Sequence, residues 1–303
     1  MPSLDSLPDE VRALLDERSE ARDARDWERA DALRDRLATL GWEVQDTERG
    51  SSARPILTAE AESPDHLDEP AAVPLSVVVV IEDHPADAER LLRSLAAHPP
   101  RVEWELVIVG NGPGVDLNAV LDRVPGLPAI VVRRTDRLGW ADARTLGLRA
   151  SRGEVLLLLD TSVEPTDDLA GPLLDAFDDP AVGLAGGWGV RSADLRRFEE
   201  AGPGEVDAIE GYALAVRRDA LRAVGGFDRR FQWYRHADLD FSFAVREAGW
   251  RAVVTAPLPA LRHEHRGWTA LPDDERDRLS KRNFYRFLDR WRDRGDLLVG
   301  GSR

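Results

Sequence analysis

Residues 155–159 form an unbroken apolar run, Val-Leu-Leu-Leu-Leu, that breaks off into Asp160. A short apolar run bounded by polar residues reads as a strand buried on both faces, the pattern of a parallel sheet. Ligands of open α/β sheets gather beyond the carboxyl ends of such strands. From this segment alone, Asp160 reads equally as a turn residue closing the strand or as a group facing a ligand.

The surrounding chain repeats the pattern. Residues 76–81, 104–109 and 129–132 read as further strands, and 86–97 (opened by Pro85) and 141–150 as helices. Such alternation predicts βαβ units and a mostly parallel sheet with flanking helices. Hydrophobic residues make up 43% of the 303, enough for a core, and the absence of cysteine removes disulfides and thiolate metal sites. The longest apolar runs, 77–81 and 155–159, are too short to span a bilayer. Acidic residues within the first ten positions, and no long apolar run there, lead us to expect a cytoplasmic chain.

Residues 1–47 read as a helical hairpin. Ser6 can cap a first helix with Pro8 in its first turn and Asp9 and Glu10 at the positive end of its dipole. Val11, Leu14, Leu15, Ala21 and Ala24 recur at helical spacing. After Asp26, a second helix places Trp27, Ala30, Leu33, Leu37 and Leu40 on one face and stops at Gly41. The run Ala24-Arg-Asp-Trp-Glu-Arg-Ala-Asp-Ala-Leu-Arg-Asp-Arg-Leu37, with Gly41 and Asp46-Thr47, resembles the carboxy-terminal tail of cysteinyl-tRNA synthetases. That family's catalytic core, with its zinc-binding cysteine, has no counterpart in this chain, so no aminoacylation is expected. Residues 1–50 hold 14 acids against 8 arginines, a net charge of −6, which argues against binding nucleic acid there. Residues 48–72 show no period and read as a linker, and 73–303 as the main α/β domain.

Several clusters can carry chemistry. Glu82-Asp83-His84-Pro85, after the first strand, lacks the glycine-rich turn of a dinucleotide site, and the turn 110–114 lacks the lysine of a P-loop. Asp238 and Asp240, with His236 among Phe231, Trp233 and Tyr234, suit a general base or a metal neighbourhood; Asp238 equally suits a helix cap. His263 and His265 lie two apart after a strand at 252–255, so an extended backbone would turn both to one site. Residues 272–294 read as a charged helix with Leu279, Phe284, Phe287, Leu288 and Trp291 along one side, for packing on the core or for peripheral membrane contact.

Taken in order, residues 74–290 resemble the family 2 glycosyltransferases of GT-A fold. The likeness runs through Glu105-Leu-Val-Ile-Val109, Gly139-Trp-Ala-Asp-Ala-Arg144 and Gly147-Leu148 to the strand ending in Asp160. It continues through Gly211-Tyr-Ala-Leu-Ala-Val-Arg-Arg218, Val224-Gly-Gly-Phe-Asp228 and the acidic cluster before Ala248-Gly-Trp250. The resemblance implies inverting transfer of a sugar from a nucleoside-diphosphate donor to a hydroxyl acceptor, with a magnesium or manganese ion on the diphosphate. By position, Asp160 matches the first carboxylate of the metal motif, His263 falls near a histidine that approaches the metal, and Asp238 matches the base. Glu82, Asp83, Asn111 and Arg144 join Asp160 as expected donor contacts. Departures are Ser162 for the second metal carboxylate, Ala237 for the glutamate before the base, and Gly110 for a nucleoside-binding aspartate. With Ser162 the hold on a cation weakens unless His263, Asp240 or water compensates. A degenerate domain that binds a nucleotide-sugar or a partner protein is the alternative.

Overall fold

The computed structural model describes residues 9–40, 42–47, 50–58, 64–112, 114–124, 126–127, 129–134 and 136–301. Ser6, Pro8 and Gly41, expected to bound the hairpin helices, lie outside them. Helices α1 (Asp9–Asp23) and α2 (Trp27–Thr39) are followed by β1 (Trp42–Thr47) and β2 (Gly50–Thr58). Then come β3 (Val73–Ile81), α3 (Pro85–Ala97), β4 (Trp104–Asn111), α4 (Leu117–Asp122), β5 (Ala129–Arg134), α5 (Trp140–Arg149) and β6 (Gly153–Leu159). The chain continues through β7 (Val163–Pro165), α6 (Ala170–Ala176), β8 (Val182–Gly186), β9 (Gly189–Ser192), β10 (Phe198–Ala201), β11 (Gly204–Val206), β12 (Ala208–Ile209), β13 (Ala213–Arg217) and α7 (Arg218–Val224). It closes with α8 (Ala237–Glu247), β14 (Arg251–Val254), β15 (Ala260–Arg262), α9 (Arg266–Thr269) and α10 (Asp273–Trp291).

The central sheet has the order β1-β2-β5-β4-β3-β6-β13-β8-β14-β11. Strands β2, β5, β4, β3 and β6 run parallel, β13 inserts antiparallel between β6 and β8, and β14 lies parallel to β8. This is the expected α/β architecture. The apolar runs are continuous because both faces of the sheet are covered. Val77, Val79 and Ile81 of β3 pack toward α3 and α4 with Leu91, Leu92 and Leu121. Val78 and Val80 pack with Leu156, Leu158, Phe241 and the α5 residues Ala143 and Leu148 on the other face.

At the amino-terminal ends of β3, β4 and β6 a buried polar link ties the strands together. Ser76 Oγ donates to Glu105 Oε1 (2.7 Å) and accepts from Gly153 N (2.7 Å), while Arg152 N donates to Glu105 Oε1 (2.5 Å). A Cβ on Gly153 would fall 2.4 Å from Ser76 N and 2.8 Å from Val155 O, both backbone atoms that cannot swing aside. Gly153→Ala should therefore destabilise the chain by about 2–3 kcal/mol, read by urea denaturation. Unchanged stability would mean the strands part at that point without cost.

Three expectations need correcting. Residues 50–58 are not linker: β2 pairs antiparallel with β1 and parallel with β5, through Ile56↔Val131 to Thr58↔Arg133. It covers the backbone edge that β5 would otherwise leave unpaired. Residues 64–72 are docked as well, since Leu67 is buried and its carbonyl accepts from Arg222 Nη2 (2.8 Å) while that of His66 accepts from Arg218 Nη1 (2.9 Å). In the hairpin, Ala30, Leu33 and Leu37 are buried as expected, but Trp27 and Leu40 are 59% and 41% exposed and Ala24 is exposed. Trp27 follows the cap residue Asp26, which accepts from Arg29 N (3.1 Å), and so stands at the very start of α2. The stripe of α10 is spent on the core: Leu279, Phe287, Leu288 and Trp291 are buried, and Phe287 packs edge-on against Phe243 of α8. That face is not free for a membrane surface. Among the described residues no helix is long and apolar enough to cross one.

Candidate active site

The chemistry-bearing side chains converge at the carboxyl ends of the parallel strands. The turn after β3 brings Glu82, Asp83 and His84, the end of β4 Asn111, the end of β6 Asp160, and the first turn of α5 Trp140 and Arg144. Opposite them lie Glu210–Tyr212, between β12 and β13, and the segment 232–238 leading into α8. A cleft of about 630 Å³ opens between these groups, lined by Glu82, Asp83, His84, Arg137, Trp140, Gln232, Trp233, Tyr234, His265 and Trp268 among others.

The expected donor contacts are already joined to one another. Asn111, fully buried, donates from Nδ2 to Glu82 Oε1 (2.8 Å) and accepts from Leu138 N (2.8 Å). Arg144 lies 3.5 Å from Glu82 Oε2, stacks on the Trp140 ring (4.1 Å) and donates to the Trp140 carbonyl (3.2 Å). Asp83 pairs with Arg137 (3.0 Å), whose hydrogen bond holds its carboxyl below the usual range. Two buried ring nitrogens of the cleft, Trp140 Nε1 and His265 Nδ1, have no hydrogen-bond partner among the described residues. Such orphans in a cleft are candidates for ligand contact.

Asp160 Oδ1 accepts from both the amide (2.9 Å) and the hydroxyl (2.6 Å) of Ser162. Its Oδ2 lies 3.5 Å from His265 Nε2. Burial pushes this carboxyl up, but His265, Arg144 and Ser162 outweigh it and hold it at about 2. Burial pulls His265 down, and Asp160 more than restores it, so the imidazole sits above its usual value. The ring stacks on Tyr234 (4.4 Å, 11°). His263, by contrast, meets Glu164 (Nε2–Oε2 2.6 Å) and not Asp160. The two imidazoles part because β15 ends at Arg262 and His265 caps α9, so the alternation of an extended segment does not operate.

Asp238 opens α8, only 8% exposed, with Oδ2 accepting from Gly211 N (3.0 Å) and Oδ1 from Leu239 N (3.0 Å). Burial raises its pKa, and the two amides and Arg235 limit the rise. Tyr234 links the two acids: burial first, then Asp238, and more weakly Asp160 drive its hydroxyl well above the usual value. Asp160 and Asp238 thus share one region of the molecule with a tyrosine ring near both. His236 and Asp240 belong elsewhere. His236, half-buried, lies near Phe284 of α10, and desolvation lowers it to about 4; Asp240 accepts from Trp291 Nε1 (2.8 Å) and Arg290 (3.2 Å) of α10. Neither serves the cleft.

Sequence reasoning missed Glu210. Its Oε2 is buried without a hydrogen bond, 3.7 Å from Arg262, which lies over the rings of Tyr212 and Trp188. Burial, and after it the charge of Asp238, raise its carboxyl to about 7. A raised acid contributes stability that is fully present below its unfolded value, 4.5, and is lost as pH climbs through about 7. Glu210→Gln stays neutral, so its stability advantage over wild type should widen by about 2 kcal/mol between about pH 5 and about pH 8. Thermal unfolding at both values checks this; a constant gap would show that Glu210 titrates normally.

Fold and site together define an open α/β architecture with its acids and arginines gathered at the strand ends. Residues 76–235 match the profile of glycosyl transferase family 2, and the chain belongs to that family. Residues 4–53 match the anticodon binding domain of cysteinyl-tRNA ligase. The cysteine–tRNA ligase of Chlamydia caviae is 40% identical over 50 residues, 16% of this chain and 10% of that one. The uncharacterized protein Mb1552 of Mycobacterium bovis is 32% identical over 132 residues, 41% of this chain and 47% of its own length. The chain thus spans about a tenth of that ligase and about half of the mycobacterial protein. Among solved structures, GalNAc-T7 with UDP, GalNAc and Mn2+ superposes with a TM-score of 0.59 at 18% identity, over 72% of this chain and 49% of that one. S. aureus TarS does so with a TM-score of 0.50 at 16% identity, over 73% and 45%. These likenesses establish the GT-A fold.

A divalent cation, as the resemblance implies, needs several open oxygen donors. This cleft does not offer them. Ser162 is 3% exposed and its hydroxyl is turned onto Asp160 Oδ1, while Oδ2 faces His265. Among the described residues no three or more His, Cys, Asp or Glu side chains are grouped to hold a metal.

Proposed function

We propose that the chain transfers a glycosyl group from a nucleoside-diphosphate sugar to a hydroxyl acceptor, with inversion. The observation that carries this reading is Asp238: a buried carboxylate held by two backbone amides, beside the same tyrosine that neighbours Asp160 and the donor cleft. Family membership and the GT-A fold support it.

The donor's diphosphate would lie in the cleft, between the turn after β3 and the amino end of α5. There Arg144 supplies fixed positive charge, and Trp140 Nε1 and His265 Nδ1 are free to meet polar atoms of the donor. Asp238 takes the proton of the acceptor hydroxyl as its oxygen attacks the anomeric carbon from the face opposite the diphosphate. The new C–O bond forms while the bond to the phosphate oxygen breaks, and the nucleoside diphosphate leaves with that electron pair. Burial suits Asp238 to the task because it raises the affinity for a proton, while Gly211 N–H and Leu239 N–H keep the carboxylate oriented.

The carboxylates missing at Gly110 and Ser162 favour a second reading, a domain that binds the donor without turning it over. A panel of UDP- and GDP-sugars separates the two, with calorimetry reporting binding and release of nucleoside diphosphate reporting turnover. Release by wild type and not by Asp238→Asn supports transfer. Binding with no release in either supports the binding module, and binding of no nucleotide removes both readings.

A further inference from the structure

We propose that this cleft holds a nucleoside diphosphate without a divalent cation, the neutralising charge coming from side chains and foremost from Arg144. The inference rests on the donor-binding reading above and departs from what the resemblance implies about the metal.

The lone pairs that would hold a cation are already committed. A cation bridging a diphosphate to protein takes oxygen donors that have no stronger claim on them. Asp160, the carboxylate at the end of β6, receives two hydrogen bonds from Ser162 on Oδ1 and faces an imidazole nitrogen on Oδ2. Position 162, where a second carboxylate would stand, carries a buried hydroxyl whose proton goes to the first. The acids nearby are matched in turn. Glu82 takes Asn111 and Arg144, Asp83 takes Arg137, and Glu164 takes His263 with Arg90 3.6 Å away. Asp238 spends both oxygens on backbone amides. Each of these carboxylates is thus compensated by protein groups, while Glu210, opposite them, has no hydrogen bond to its Oε2 and only Arg262 at 3.7 Å. Arg144, 6% exposed, is held by Glu82 only at 3.5 Å and lies within electrostatic reach of Asp160, which leaves a permanent cation at the carboxyl ends of the strands.

The test uses the full chain. Mn2+ alone, titrated by calorimetry and followed by electron paramagnetic resonance, should show no saturable binding up to about millimolar concentration. UDP should bind in EDTA and in Mn2+ with dissociation constants equal to within about twofold, and Arg144→Gln should weaken that binding about tenfold. Saturable Mn2+ binding by wild type, or UDP affinity raised about tenfold or more by Mn2+, overturns the inference and leaves the transferase reading standing. Failure of UDP and GDP to bind under either condition overturns the donor reading itself. Ser162→Asp adds a gain-of-function arm: the second carboxylate should create Mn2+ binding that wild type lacks. A folded Ser162→Asp chain as indifferent to Mn2+ as wild type would show that residue 162 is not what separates this cleft from a metal site.

Discussion

Asp238→Asn should lower glycosyl transfer about a thousandfold, the loss expected when a positioned base is removed, while leaving thermal stability and donor affinity close to wild type. The amide keeps the side-chain volume and one oxygen, so the bond from Gly211 N can persist. What is lost is the ability to receive a proton. Burial argues for the same outcome, because water has little access to Asp238 to replace it. Asparagine leaves Leu239 N without its acceptor, and relief of a buried carboxylate with a raised pKa offsets that loss, so the net change in stability should be small. Measuring release of nucleoside diphosphate alongside a melting curve distinguishes a dead folded enzyme from an unfolded one. Transfer undiminished in this variant would remove Asp238 from the mechanism.

The second large effect concerns Asn283, far from the acids in sequence. It lies in α10, fully buried, and its Nδ2 donates toward three successive carbonyls: Trp233 (3.0 Å), Tyr234 (3.4 Å) and Arg235 (2.9 Å). Those residues form the wall of the cleft and carry Tyr234 onto His265. The wall then runs into Arg235 and His236 with φ of 84° and 64°, a left-handed backbone that costs energy for residues with a Cβ and persists only when its surroundings impose it. Asn283→Ala leaves the three carbonyls without their donor in a dry interface. It should cost about 3 kcal/mol by urea denaturation and weaken UDP binding about tenfold. Asn283→Asp should be worse than alanine, because it turns an acceptor toward three acceptors. An alanine variant with unaltered stability and affinity would show that packing of Phe284 and Phe287 holds the wall unaided.

How far the sequence reaches can be judged from individual residues. The strand 155–159 was legible because a run buried on both sides carries no polar residue, and neighbour identity hardly matters to that signal. Asp160 was legible because it terminates such a run, and Asp238 because it begins a helix after an aromatic loop. β2 was not legible. Gly-Ser-Ser-Ala-Arg-Pro becomes a strand by pairing with β1, and the next three residues by taking the edge that β5 presents, facts of tertiary position and not of local composition. The exchange of His263 for His265 beside Asp160 has the same character: the segment ceases to be extended at Arg262, and one turn redirects both rings. Glu210 sent a faint signal as an acid next to the glycine of Gly211-Tyr212. Its unusual proton affinity arises only when folding buries it and then brings Asp238 alongside.

By itself, then, the order of apolar runs and breaks determined the layered α/β sheet, the strand ends at which chemistry gathers, and the two acids that mark them. The tertiary structure alone decided which histidine meets Asp160, that the lone pairs of Asp160 are already claimed, and that a helix beyond the family match pins the cleft wall. The physical reason is range. Burial periodicity is written locally along the chain, whereas a hydrogen-bond partner or a neighbouring charge is supplied by whatever residue folding carries within a few ångströms.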